Sequence, residues 1–556
     1  MKLINKISIL ALALMFSSCL GDLNTVPLKK TDMLAGDAYS SDASYLNALA
    51  YINGYYMLVG QSDAGSNDLG YKDAGQSEFL RQWHCLNEMT TDALKCVWGD
   101  TYVPELCTNS WSTTNLALDC VYTRALKGIT LVNEYLLNTT DSMLESRGQS
   151  HLKEAVRGYR AEARFHRAMF FYVLMDIVGN PPFPMPEDIG GLPEQIERAD
   201  LFDWLEEELL DLASAESAMP AYGAVPYPRP TKGAVWALLS RMYLNAEVYT
   251  GEARWQDAKD ASEEVIKMGY QIHDSFENLF RQDNTTNGAV EEFIFAIAYD
   301  RVTTQSWGGT TTLVSASIDS DMNKALAKAL NVPNAEFIGG DKWAGYHTTD
   351  EYVKNFELTG VEWGTDDAFG FDRTKNDKRA LVSNFGCTQT FDPEVMASGW
   401  YCWKFCGLDS EGKCTQVESE VTEGNFKLSS ADFPIFRLAE IYLNYAEADA
   451  RLNGGTVADQ KAKDYISELR TRAGVSTPAS IDVEWILQER ARELMWEGHR
   501  RVDLIRYGKY TSSSFPWPQK NGILSGNSAI PEYRTIFPLI QSDYSAHGSL
   551  KQNPNY

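Results

Sequence analysis

The feature that most constrains this chain is a helix that recurs in pairs. In "RPTKGAVWALLSRMYLNAEVY" (229–249), Ala234, Leu238 and Met242 fall on one helical face, behind Thr231 as a cap candidate. After a short break comes a second helical pattern, "WQDAKDASEEVIKMG" (255–269). The same grammar returns in "FRLAEIYLNYAEADARLNGG", where Leu438, Ile441, Tyr445 and Leu452 share a face and Gly454-Gly455 stop the helix, followed by "VADQKAKDYISELRTRAG" (457–474). Two further long stretches carry the pattern alone. "YRAEARFHRAMFFYVLMDIVGNPPF" places Ala161, Phe165, Ala168, Met169, Tyr172 and Met175 at helical spacing and stops at Gly179, Pro181 and Pro182. "WILQERARELMWEGHRRVDLIRYGKY" is the last.

Helix pairs with small residues at the crossing and aromatics beside them read as tetratricopeptide-like hairpins, here degenerate in period. Between 283 and 430 the helical pattern weakens into a segment rich in Gly, Thr, Asp and Trp. Long irregular connections on a helical scaffold usually carry function. The expected fold is therefore mainly α, with a loop-rich half that holds a ligand site. Lys and Arg number 50 against 76 Asp and Glu, a formal net charge of -26. Such a surface repels phosphate backbones, which argues against nucleic acid and leaves a neutral ligand or a metal ion. Aromatic residues reach 12%, which suits flat polar ligands that bind by stacking.

The amino terminus, "MKLINKISILALALMFSSCLGD", has Lys2 and Lys6, an apolar run from Ile7 to Phe16, then Ser17-Ser18-Cys19. A basic start, a short apolar core and small residues make a secretory signal over 1–18. Cys19 resembles a bacterial lipobox cysteine, the site of acylation, with Phe16 where Leu is usual. Residues 19–40 then read as a lipid-anchored tether. Eight further cysteines fall in two clusters, 85–120 and 387–414. Export opens disulfide pairing to them, with no connectivity given by spacing. No C-x-x-C pair occurs and the seven histidines have no ligand spacing, which argues against zinc.

"TTQSWGGTTTL" (303–313) sets Trp307 before two glycines, in a run with no periodicity that would bury an indole. The glycines let the chain turn sharply and leave a ring face uncovered. "DNTTNG" spaces Asp283, Thr285 and Asn287 as in an EF-hand, but Ile294 stands where the loop needs Glu. Glu489, Glu493 and Glu497 lie four apart among Arg490, Arg492, Arg500 and Arg501. Internal salt bridging explains them better than paired catalytic carboxylates. There is no H-E-x-x-H, G-x-S-x-G or P-loop.

Taken in order, the lipobox, "AEARFHRAMFFYVLMDIVGNPPF", "RPTKGAVWALLSRMYLNA", "DAKDASEEVIKMGY", "EEFIFAI", "DFPIFRLAEIYLNYAEA", "ERARELMWEGHRRVDLIRYG" and the closing "IFPLIQSDYSAHGSLKQNPNY" resemble the SusD/RagB family of outer-membrane nutrient-binding lipoproteins of the Bacteroidota. The resemblance implies a single α-α superhelical domain over 41–556 and a lipid-anchored place on the outer-membrane surface. It also implies binding without chemistry or a required cofactor, and delivery of glycan to a SusC-like TonB-dependent transporter. "WHCLNEMTTDALKCVWGD", "SWGGTTTLV" and "GGDKWAGYHTTDEYVKNF" resemble the ligand segments of the family's starch-binding member. By that resemblance Trp98, Trp307 and Trp343 form an arc against the curved face of an α-glucan, with Arg81 as a polar contact. Either Asp100 or Thr101 takes the place of a family asparagine. The resemblance further implies a structural calcium near Asp283, Glu291 and Asp432. The competing readings are the same role for another glycan, such as an α-1,6-glucan, and a helical-repeat scaffold that binds only protein.

Overall fold

The computed structural model describes residues 38–60, 64–186, 191–389, 392, 395–420, 423–517 and 529–556. The signal segment, Cys19 and the tether through residue 37 lie outside the described residues.

Seven helices come first: α1 (Asp42–Gly54), α2 (Phe79–Glu88), α3 (Leu116–Asn138), α4 (Lys153–Ile177), α5 (Arg198–Ala213), α6 (Lys232–Leu244) and α7 (Trp255–Ile266). The loop-rich region carries α8 (Gly309–Ala316) and α9 (Ser320–Ala329), and the chain returns to helix in α10 (Leu438–Leu452), α11 (Gln460–Ala473), α12 (Val483–Glu493) and α13 (Arg500–Arg506). Shorter helical turns link these. Packing runs from neighbour to neighbour, α3 on α4, α4 on α5, α6 on α7, α7 on α10 and α10 on α11. That is the superhelical stacking of hairpins that the paired pattern predicts.

The local signals act where they were read. Thr231 accepts a hydrogen bond from the Gly233 amide at 3.3 Å and caps α6. α4 ends just before Gly179, and Gly474 closes α11 in the left-handed region. Three short antiparallel ribbons cross the loop-rich half: β1 (Lys95–Cys96) with β3 (Tyr346–His347), β2 (Phe293–Ile297) with β6 (Phe433–Arg437), and β4 (Val382–Ser383) with β5 (Tyr401–Cys402). β6 runs directly into α10, so the β2–β6 pair ties the loop region to the helical scaffold.

Two expectations change. The last helical stretch is broken, because Trp496 (φ 60°) and Gly498 (φ 82°) turn the chain between α12 and α13. A side chain at 498 would meet the Trp83 ring at 2.3 Å, so the turn needs glycine for packing as well as for φ. Glu497 is therefore not on a helical face with Glu489 and Glu493, yet it folds back into the same network of charges. Of the arginines flanking these glutamates in sequence, only Arg492 pairs with one, Glu489 at 2.8 Å. Arg490 goes to Asp503, Arg500 to Asp92 and Arg501 to Asp176. The eight cysteines from Cys85 to Cys414 are buried, and none is in a disulfide. The disulfide pairing considered from export is not seen among them; Cys107 Sγ instead accepts from the Cys96 amide at 3.4 Å, and Cys406 Sγ accepts from Arg281 at 2.7 Å.

Candidate functional site

β1 and β3 start the site. Their register sets Cys96 opposite Tyr346, and the chain leaving β1 lays Trp98 beside Tyr346, ring centroids 5.0 Å apart. The Trp98 indole N–H donates to the Ala344 carbonyl at 2.9 Å, fixing its ring next to Trp343. The amides of Trp343 and Ala344 both donate to the Ser315 carbonyl, at 2.8 and 3.3 Å. Ser315 lies in α8, and Trp307 stands just before Gly308, the cap of that helix. One short helix thus holds two of the three indoles at fixed separation.

The three tryptophans come together as a row. Trp307 and Trp343 have centroids 6.3 Å apart with planes inclined by 38°, and Trp343 and Trp98 are 6.4 Å apart and inclined by 67°. All three are partly exposed. Successive rings are therefore tilted rather than coplanar, and a rigid flat ligand cannot lie on all of them at once.

Polar groups border the row at the Trp98 end. The Arg81 guanidinium carbon lies 5.8 Å from the Trp98 ring centroid, a cation–π approach. Its Nη1 donates to Asp73 at 3.2 Å. Arg81 is buried while the Asp73 carboxylate is 48% exposed, so the pair presents its acidic end to solvent. Asp100 accepts from Gln76 Nε2 at 3.1 Å. Thr101 is exposed and its hydroxyl makes no capping bond. Of the two alternatives at this position, Asp100 is the one tied into the polar rim. Asp73, Gln76 and Tyr346 were missed in sequence, since nothing local marks a turn residue or a buried tyrosine as neighbours of distant indoles.

Below Trp307 lies a buried carboxylate that the sequence also hid. Glu78 accepts from the Tyr299 hydroxyl through Oε1 and from the Ser306 hydroxyl at 2.7 Å through Oε2. Ser306 in turn accepts from the Gly308 amide at 2.9 Å. Burial raises the Glu78 pKa from 4.5 to about 8, against the lowering effect of these hydrogen bonds and of Arg81 and Arg124. The folded value lies above the unfolded one. Its stabilising contribution is thus complete below the ordinary value and is lost as pH rises through about 8. Amide protection in the 299–309 segment, corrected for intrinsic exchange, should fall as pH rises from 4.5 to about 8 and level off above it, and Glu78→Gln should remove that fall. Equal pH profiles for wild type and variant would mean that the loop does not sense this proton.

The carboxylates considered for calcium do not fit that ion as arranged. Asp432 is buried, its Oδ1 accepting from the Tyr299 amide at 2.9 Å and its Oδ2 from Tyr227 at 2.7 Å and Thr285 at 3.0 Å. Asp283 is occupied by the amide and hydroxyl of Ser410 at 2.9 and 2.5 Å. Glu291 is exposed on a separate turn. Among the described residues no three His, Cys, Asp or Glu side chains are grouped to hold a metal.

Comparison with known proteins covers nearly the whole chain. Residues 291–556 match a family model described as the SusD family, and residues 69–244 match one described as starch-binding associating with outer membrane. The starch-binding protein SusD of Bacteroides thetaiotaomicron is 29% identical over 568 aligned positions, covering 97% of this chain and 96% of that protein. Among solved structures, a SusD homolog from the same organism superposes with a TM-score of 0.67 at 18% identity, covering 94% of this chain and 98% of the other. Surface glycan-binding protein A from Bacteroides thetaiotaomicron, in complex with laminarihexaose, superposes with a TM-score of 0.64 at 17% identity, covering 93% of this chain and all of the other.

Proposed function

Because this chain belongs to the SusD family, we propose that it is a cell-surface lipoprotein that captures starch and malto-oligosaccharides. It would pass them to a partner TonB-dependent outer-membrane transporter. The observation that carries the reading is the tilted row of Trp98, Trp343 and Trp307. A pyranose has a face of C–H groups, apolar and weakly positive, which suits the negative face of an indole. By analogy with bases stacked on exposed aromatics, each ring is worth about 1–3 kcal/mol. Three mutually tilted rings favour a curved α-glucan over a flat chain, and Asp100 with the Arg81–Asp73 pair supplies hydrogen bonds to hydroxyls at the rim.

Binding proceeds without chemistry in this reading, which the match to the SusD family supports. Acylation of Cys19 would anchor the chain. No described helix is long and apolar enough to cross a membrane. The name of the 29% identical relative supports starch as the ligand. The laminarihexaose complex of a structural neighbour is the specific reason to keep another glycan as the second reading.

Titration calorimetry of the protein in a non-glycosidic detergent tests this, with maltoheptaose, a cyclic α-glucan, an isomalto-oligosaccharide and laminarihexaose. The α-1,4 ligands should bind, and Trp307→Ala should weaken them by about 5- to 150-fold, the loss of one platform, with an unchanged circular dichroism spectrum. Binding of the isomalto- or laminari-oligosaccharide alone would move the assignment to that glycan. Silence towards all four sugars would remove the platform reading.

A further inference from the structure

A second aromatic groove lies away from the tryptophan row, between α1, α3 and the chain's closing segment. It encloses about 620 Å³, within the range of small-ligand sites. Tyr51 on the last turn of α1 and Tyr55 just past its end form one wall with ring centroids 6.2 Å apart and planes inclined by 50°. Tyr51 is 42% exposed, whereas Tyr55 is buried beneath it. Tyr122 lines the groove from α3 with its hydroxyl committed to Asp543. Leu126, Leu131 and Ile540 supply apolar surface.

The polar lining is only partly used by the protein. Asp68 is taken by Arg124, and Asp543 spends one carboxylate oxygen on Tyr122. Among the described residues, the Lys127 ammonium and the Thr123 and Ser542 hydroxyls have no side-chain partner. One cation, two hydroxyls and a carboxylate oxygen around the exposed Tyr51 ring match the alternating C–H faces and hydroxyl edges of a neutral sugar. A phosphorylated or acidic ligand would meet Asp68 and Asp543 with Lys127 as the one lining cation whose charge is not already paired.

We propose that this groove is a second, weaker saccharide site for the same class of glucan. The proposal rests on the glycan-binding reading of the tryptophan row. Arg124, whose other face lines no part of the groove, connects the two regions. It holds Asp68 on the groove side and donates through Nε to the Ser77 carbonyl at 2.7 Å, in the turn that carries Gln76 of the first site. Two sites on one rigid body gain little for a short oligosaccharide. They matter for a polymer, where the second contact is made at high effective concentration and retention rises.

The test uses the full-length protein in a non-glycosidic detergent with maltoheptaose, followed by calorimetry into the millimolar range, and native electrophoresis through gels containing amylopectin. The wild type should show a tight and a weak event, and Trp307→Ala should retain the weak one. Tyr51→Ala and Lys127→Ala alter exposed side chains, and each should abolish the weak event. Both should also cut retardation by amylopectin several-fold while leaving the tight event unchanged. A weak event and wild-type retardation retained in both groove variants would overturn the second site and leave the tryptophan row intact. Silence of the wild type towards every sugar would overturn the reading of the row, and this proposal with it.

Discussion

Arg437→Ala is expected to destabilise the protein by about 3–5 kcal/mol, the loss associated with stripping the partner from a buried charge. Arg437 closes β6, is 1% exposed, and fills a site between three carboxylates. It donates to Glu497 at 2.6 and 2.8 Å, to Glu493 at 2.6 Å and to Glu292 at 3.0 Å. Those glutamates come from the turn after α12, from α12 itself and from the edge of β2, so a single guanidinium fastens the loop-rich half to the scaffold. Arg379, Arg472 and Lys404 share the same carboxylates and would remain, which sets the loss at the scale of one partner rather than of the whole cluster. Arg437→Lys should recover little, because an ammonium cannot meet three carboxylates in the planar geometry that the guanidinium satisfies. Lys324→Ala, which removes an ion pair with both side chains exposed, is the matched control and should be near neutral. Denaturant unfolding of the three variants decides it. An Arg437→Ala midpoint equal to that of Lys324→Ala would show that the cluster is not sensed as a unit.

What the sequence disclosed, and what it hid, follows from the range of the interactions. Helix starts and stops are local, so the Thr231 cap, the Gly179 stop and the Gly474 close were readable one segment at a time. α3 and α5 were not singled out, although α3 is longer than any single helix of the two hairpins that were. In α3, Asn115 caps the helix through Ala117 and Leu118, a local signal that was available. The row of indoles came from resemblance, not periodicity. Trp98, Trp307 and Trp343 lie far apart in sequence and meet only because β1 pairs with β3 and α8 receives the Trp343 amide. Their supports are equally non-local. Glu78 reaches Ser306 across 228 positions, and no window around either residue could announce it. The Glu489–Glu493–Glu497 spacing was rightly read as salt bridging. Its partners, apart from Arg492, were hidden because they arrive from β6, from α11 and from the loop at Arg379.

The glycines after Trp307 show the same lesson and yield the sharpest test of the site. Read alone, they make a turn that exposes an indole. In the fold, Gly309 does need its φ of 48°, but Gly308 is extended and is required for a different reason. A methyl group at 308 would lie 1.7 Å from Glu78 Oε2 and 2.7 Å from its Cβ and Cδ. Glu78 has no room to yield, since it is buried with one oxygen committed to Tyr299 and the other to Ser306. Gly308→Ala must therefore lift the loop from its seat and carry Trp307 away from Trp343. The change falls in one loop, so overall stability should drop far less than in Arg437→Ala. Affinity for maltoheptaose should fall about 5- to 150-fold, as if the Trp307 platform were deleted. Trp307→Ala and Gly308→Ala should then not add when combined, because each removes the same contact. Glu78→Gly, which removes the carboxylate and also the Cβ that would lie 2.7 Å away, should return part of the affinity to Gly308→Ala. Wild-type affinity in Gly308→Ala would mean that Trp307 is placed by something other than the Glu78 seat. Additive losses in the double variant would mean that Gly308 acts on the sugar by a route that does not pass through the indole.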